Sequence, residues 1–163
     1  ILGGERKACI EVIQVLQHVY DARHQFRITD SRTAELTKYM ENSFLATKVS
    51  FCQQFYFIAS EMDVDYEELR ELFVLDPRVN PSHTFVDRLH PYWSSHCLDK
   101  DVPAIADAYE ASLLQEVIKF NENTKKCLGI IRRAEIPEGI KNDMLMYQAG
   151  VRRKEILEDR ETP

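Results

Sequence analysis

Cys97 stands in the run Ser94-Ser95-His96-Cys97-Leu98-Asp99-Lys100-Asp101, immediately ahead of a predicted helix start. The aligned peptide dipoles at a helix N-terminus favour a thiolate, and the thiolate is the form that attacks carbonyl carbon. Lys100 and His96 add to that field while Asp99 and Asp101 oppose it, so the sequence leaves its net sign open. Taken alone, a loop cysteine is more often a bystander than a nucleophile. A second pair, Lys38 and Asn42, lies four residues apart in helix-like sequence, which puts both side chains on one face. A cation and an amide so stacked can grip an oxygen-rich ligand, although exposed Lys and Asn are also ordinary on a solvated face. His83, His90 and His96 share the loop with Cys97, but their spacings fit no zinc pattern, and adjacent residues such as His96 and Cys97 ligate poorly together. No metal site is expected.

These groups must be held by helices. From Ser31 to Met62 there is no Gly or Pro, Asp30 or Ser31 offers a cap, and Leu36, Met40, Phe44, Leu45, Val49, Cys52, Phe55, Ile58 and Met62 recur three to four residues apart. At about 1.5 Å of rise per residue this rod runs nearly 50 Å, longer than a compact domain of this size needs. Part of its apolar face is therefore expected to pack beyond its own chain, most simply in a homodimer.

The rest of the chain reads in order. Ile1–Gly4 resembles a strand end with no partner strand nearby, as if cut from something larger. A helix is predicted from Glu5 to about Val19, a polar connection from Asp21 to Asp30, and a short helix over Tyr66–Leu75 capped by Asp63 or Asp65. Between Asp76 and Lys100 periodicity disappears, and three prolines, three histidines and the only Trp crowd into one loop. Pro103 suits a first helical turn, so one helix is expected from Ala104 to about Cys127, and two short helical runs follow Gly129. The fold class is all-α, a bundle on one long central helix with a residual strand end. Its parts are 1–4, a domain over 5–131, and a helical tail or linker over 132–163.

Composition limits the function. The 163 residues fit one domain, with 44% hydrophobic and 29% charged residues and a net charge of -6, which disfavours nucleic acid as a partner. The mean hydropathy of -0.38 and the lack of a long apolar run argue against a membrane span. Four cysteines without a CxxC pair suggest reduced thiols in a cytoplasmic setting, with Cys9, Cys52 and Cys127 as buried small hydrophobes. No glycine occurs between Gly4 and Gly129, which excludes a glycine-rich phosphate loop there.

The blocks AELTKYMENSFLATKVSF, LDPRV, SHTFV, HCLDKD and VIKFNE, in that order over about Gly3 to Lys125, resemble the UDP-glucose/GDP-mannose dehydrogenase superfamily. The matching part of that family is the central helical segment, which links an NAD-binding domain to a nucleotide-sugar-binding domain and forms the dimer. The resemblance implies a four-electron oxidation of a sugar primary alcohol to a carboxylate through a cysteine thioester, with NAD as cofactor and a nucleotide-sugar as substrate. It places Cys97 as the nucleophile, Lys38 and Asn42 as stabilisers of the oxyanion, and Asp101 as the group that orients water or tunes Lys38. Ser82, His83 and Thr84 fall in the family's substrate-contacting loop.

The sequence also departs from the family's GG-x-C-x-P-x-D loop, with Ser94 and Ser95 for the glycines and Asp99 for the proline, and its FxNE reads Phe51-Cys52-Gln53-Gln54. Two serines are expected to reshape a loop that glycine lets approach closely. The NAD-binding domain would precede Ile1 and the sugar-nucleotide domain would follow about Ile131, so the fragment alone is expected to be inactive. The alternative is a helical dimerisation module of the same ancestry that has lost its chemistry.

Overall fold

The computed structural model describes residues 1–21 and 23–133. Among them the order is β1 (Leu2–Gly3), α1 (Arg6–Leu16), β2 (Ile28–Thr29), α2 (Ser31–Glu61), α3 (Tyr66–Phe73), α4 (Leu98–Ala108) and α5 (Ser112–Arg133). The fold is all-α around α2, as the periodicity implied. The expected helical tail lies, beyond Arg133, outside the described residues.

The N-terminal strand does have a partner, which corrects the sequence reading. Leu2 pairs with Ile28 and Gly3 with Thr29 in parallel, with Leu2 N donating to Arg27 O at 2.8 Å and Gly4 N to Thr29 O at 3.0 Å. Two residues are too few to show strand alternation, and the partner follows a helix rather than a hairpin turn, so the pairing left no periodic signal. Gly3 lies against the start of α2, where a Cβ would come within 2.5 Å of the Ala34 Cβ and 2.9 Å of the Ser31 Cα. Only glycine fits there without a shift.

α2 starts where its cap dictates. The Asp30 carboxylate accepts from Thr33 N at 3.0 Å and from Thr33 Oγ1 at 2.6 Å. It ends in a Schellman turn: Val64 N donates to Ala59 O at 2.8 Å, Asp63 N to Ser60 O at 3.4 Å, and Asp63 adopts φ 55°. The same turn closes α4, where Ala111 N donates to Ala106 O at 2.9 Å, Glu110 N to Asp107 O at 3.4 Å, and Glu110 takes φ 48°. The single helix expected from Ala104 to Cys127 is therefore two. α4 also begins five residues before Pro103, which sits inside it rather than in its first turn.

Two clusters hold the bundle. Ala46 of α2, Trp93 of the long loop, Leu98 and Val102 of α4 and Val117 of α5 pack together, with Leu45, Val49 and Ile118 at the margin. Cys52, Ala59, Tyr66 and Val86 join α2 to α3 and the loop, with Tyr56 and Leu69 beside them. A stripe of α2 beside these packed faces leaves Leu36, Met40, Phe44, Phe51 and Phe55 exposed.

Candidate active site

The loop after α3 carries Cys97 and is fastened at several points before it reaches that residue. Thr84 is fully buried; its carbonyl accepts from the Tyr66 hydroxyl at 2.8 Å and its Oγ1 from Arg70 Nε at 2.8 Å. Thr84 thus anchors the stretch Ser82–Thr84, while Ser82 and His83 stay exposed and touch each other, Ser82 Oγ to His83 Nδ1, at 2.5 Å. Lys48 of α2 donates to Asn80 O. Burial pushes the Cys52 thiol and the Tyr66 hydroxyl of this anchor upward, so both stay neutral.

Trp93 is a second buried anchor. Its indole Nε1 donates to Ser50 Oγ at 3.0 Å, its amide N to Asn121 Oδ1 at 2.9 Å, and its carbonyl accepts from Asn121 Nδ2 at 3.0 Å. Asn121 is fully buried, and these bonds give its amide the two partners that burial demands. The sequence reading passed over Asn121. A polar residue four positions from Val117, on the apolar face of α5, was the signal that marked it.

Cys97 follows four residues later and is exposed. Its backbone is already helical, with φ -77° and ψ -51°, and it immediately precedes Leu98, the first residue of α4, as expected. One turn on, Asp101 N donates to Cys97 O at 2.8 Å, which stacks the two side chains over adjacent turns of one face. Asp101 is buried, 4% exposed, and its carboxylate is where the other predicted residues meet. Asn42 Nδ2 donates to Asp101 Oδ2 at 2.7 Å, and Lys38 Nζ stands 4.0 Å from the same oxygen. Lys100 Nζ, whose pairing the sequence did not suggest, lies 3.2 Å from Oδ1.

The four predicted residues therefore belong to one junction of α2 with α4, joined through the Asp101 carboxylate and one helical turn. Burial pushes that carboxyl up, but the hydrogen bonds from Lys100 and Asn42 and the charges of Lys100 and Lys38 outweigh it and hold Asp101 below the usual carboxylate range. Two ammonium groups around one carboxylate leave a surplus positive charge beside the Cys97 turn. Such a surplus suits an oxyanion. Clefts elsewhere include an open groove of about 430 Å³ between α2 and α5, lined by Thr47, Phe51, Leu113 and Phe120, and an apolar pocket of about 210 Å³ between α2 and α3, lined by Phe51, Phe55, Leu69 and Phe73. Among the described residues no group of three or more His, Cys, Asp or Glu could hold a metal ion, and no helix is long and apolar enough to cross a membrane.

The model of the UDP-glucose/GDP-mannose dehydrogenase family, central domain, matches residues 32–123. The chain is 32% identical over 108 residues to the NDP-N-acetyl-D-galactosaminuronic acid dehydrogenase of Ralstonia nicotianae, covering 66% of this chain and 24% of that protein. It is 27% identical over 128 residues to the UDP-glucose 6-dehydrogenase of Rickettsia felis, covering 75% and 28%. With the UDP-N-acetyl-D-mannosamine dehydrogenase of Methanococcus aeolicus it shares 28% over 138 residues, covering 83% and 30%. The chain spans less than a third of the length of these curated relatives. No solved structure matches it. Because the matched stretch runs from the first turn of α2 into α5 and takes in Lys38, Asn42, Cys97 and Asp101, the chain belongs to the UDP-glucose/GDP-mannose dehydrogenase family, whose central domain it carries.

Proposed function

We propose that this chain is the central dimerisation and active-site segment of an NAD-dependent nucleotide-sugar 6-dehydrogenase. The observation that carries the reading is the convergence of Lys38, Asn42 and Lys100 on the buried Asp101, one turn from the exposed Cys97. The Cys97 thiolate attacks the aldehyde carbon of the oxidised sugar, a C–S bond forms, and the carbonyl electron pair moves onto oxygen. Lys38 and Asn42 meet that oxyanion with a positive charge and a preorganised N–H donor. Once the adduct is a thioester, water adds to its carbonyl carbon and the C–S bond breaks, releasing the carboxylate and restoring the thiolate. Asp101 keeps Lys38 in reach and orients the water.

NAD supplies the hydride acceptor for both oxidations. The described residues do not themselves fit the dinucleotide, because no glycine between Gly4 and Gly129 offers a phosphate-cradling turn. NAD is assigned instead to another part of the full-length protein, in keeping with the parallel β1–α1–β2 unit, the building block of dinucleotide-binding sheets. The exposed stripe of Leu36, Met40, Phe44, Phe51 and Phe55 supports pairing with a second copy along α2.

The test uses full-length protein with NAD and a panel of UDP- and GDP-sugars. Cys97→Ser should abolish NADH formation. If the wild type forms none and the variant behaves identically, the catalytic role falls, and the second reading stands: a dimerisation module without chemistry, which Ser94, Ser95 and Asp99 favour.

A further inference from the structure

The loop holds three polar residues, Ser94, Ser95 and Asp99, where the family it resembles has glycines and a proline, and these three are bonded to one another. Asp99 Oδ2 accepts from Ser94 Oγ at 3.0 Å and from Ser95 N at 3.1 Å, while Ser95 Oγ accepts from Leu98 N at 3.1 Å. The two serines and the aspartate thereby close a reciprocal cap around His96 and Cys97. The other oxygen, Asp99 Oδ1, faces α5, where Lys125 Nζ lies 3.2 Å away.

Lys125 is held where it stands. Its side chain is only 24% exposed, it also contacts Glu122 Oε1 at 3.1 Å, and its ammonium sits 5.4 Å from the Trp93 ring centroid and 5.8 Å from that of Tyr92. Burial pulls its pKa down, but the bonds to Glu122 and Asp99 raise it overall, so the ammonium stays charged. Lys125 is also one turn beyond Asn121 on the same face of α5, and Asn121 grips Trp93. α5 thus fastens the chain on both sides of Cys97, at Trp93 and at Asp99, with five residues between.

We propose that Lys125 is a positioning residue: with Asp99 it latches the first turn of α4 to α5, fixing where Cys97 stands and balancing the carboxylate two residues from the thiol. The inference rests on the reading of Cys97 as the nucleophile. The latch restores by charge and hydrogen bonds what glycines and a proline would supply by backbone shape. It therefore counters the most direct objection to chemistry at this loop.

The experiment compares wild type, Lys125→Met, Lys125→Arg, Asp99→Asn and the double variant Lys125→Met/Asp99→Asn in full-length protein. It reads the rate of iodoacetamide modification at Cys97 by peptide mass spectrometry near neutral pH, and kcat and KM for the nucleotide-sugar. Lys125→Met should slow modification about threefold, the order expected of one nearby unbalanced charge in a water-like medium. It should lower kcat on the order of tenfold with KM little changed, as expected when a nucleophile is misplaced. Lys125→Arg should keep both, and the double variant should return the modification rate to that of wild type, which a packing role for Lys125 alone would not produce. Unchanged modification in Lys125→Met, or a double variant as slow as the single, overturns the latch even if Cys97→Ser abolishes NADH. If the modification rates follow this pattern while neither wild type nor Cys97→Ser makes NADH, the latch stands and the proposed function falls.

Discussion

Besides Cys52, Phe57 and Ala59, α2 buries Ser43, Ala46, Ser50 and Gln53 inside the chain, whereas it exposes Leu36, Met40, Phe44, Phe51 and Phe55. A surface helix normally keeps its large apolar residues on the buried side and few on the exposed one. The inner side works because its small residues let the backbone come close: Ala46 clusters with Trp93, Val102 and Val117, and Ser50 takes the Trp93 N–H, while the buried Ser43 hydroxyl is left without a partner. On the exposed stripe Phe51 and Phe55 meet tilted with centroids 4.8 Å apart, and Phe51 alone reaches α3, with its centroid 6.3 Å from that of Phe73. The difference teaches that burial within one chain and hydrophobicity of sequence are separate quantities, and that their mismatch marks a surface meant for something else.

This contrast can be broken, starting with its largest effect. Trp93→Ala should destabilise the fold by about 3–5 kcal/mol in chemical denaturation, because it empties the centre of the inner side. A loss under about 1 kcal/mol would refute that placement. Ser50→Ala should lose about 1–3 kcal/mol in the same measurement, since it strands the buried indole N–H. Asp101 gives a smaller, pH-specific effect. Its folded carboxyl titrates below the ordinary aspartate range, so its favourable contribution is present above that range and is lost as the pH falls through the folded value. Asp101→Asn should therefore flatten the acid limb of the stability curve and leave its shape near neutrality unchanged. The double variant Met40→Lys/Phe44→Lys should change unfolding of the dilute chain least, by about 0.5 kcal/mol or less per site, yet weaken self-association in sedimentation. If it unfolds the chain instead, the exposed stripe is part of the core.

Much of this was legible in the sequence, and the failures have physical causes. The span of α2 came within one residue of its end because Asp30 supplies a side-chain cap and no Gly or Pro interrupts the periodicity. Cys97 was rightly placed just before a helix. The start of α4 was misplaced because Pro103 looks like an opening residue, while the working cap, Ser95 with Asp99, sits where the family's pattern has glycine and proline. The break between α4 and α5 was invisible because a left-handed turn usually announces itself with glycine, and here Glu110 occupies it. The gathering of Lys38, Asn42 and Asp101 followed from the resemblance, since no local spacing tells which turn of one helix faces which turn of another. The pairing of Lys125 with Asp99 had no signal short of coordinates.

The contact between Gly3 and the first turn of α2 has a mechanical outcome. A Cβ at position 3 would lie only 2.5 Å from the Ala34 Cβ, so the strand end and the rod are seated flush, with no room for a side chain between them. A methyl group there would have to push the rod aside, and the rod carries Lys38 two turns farther on.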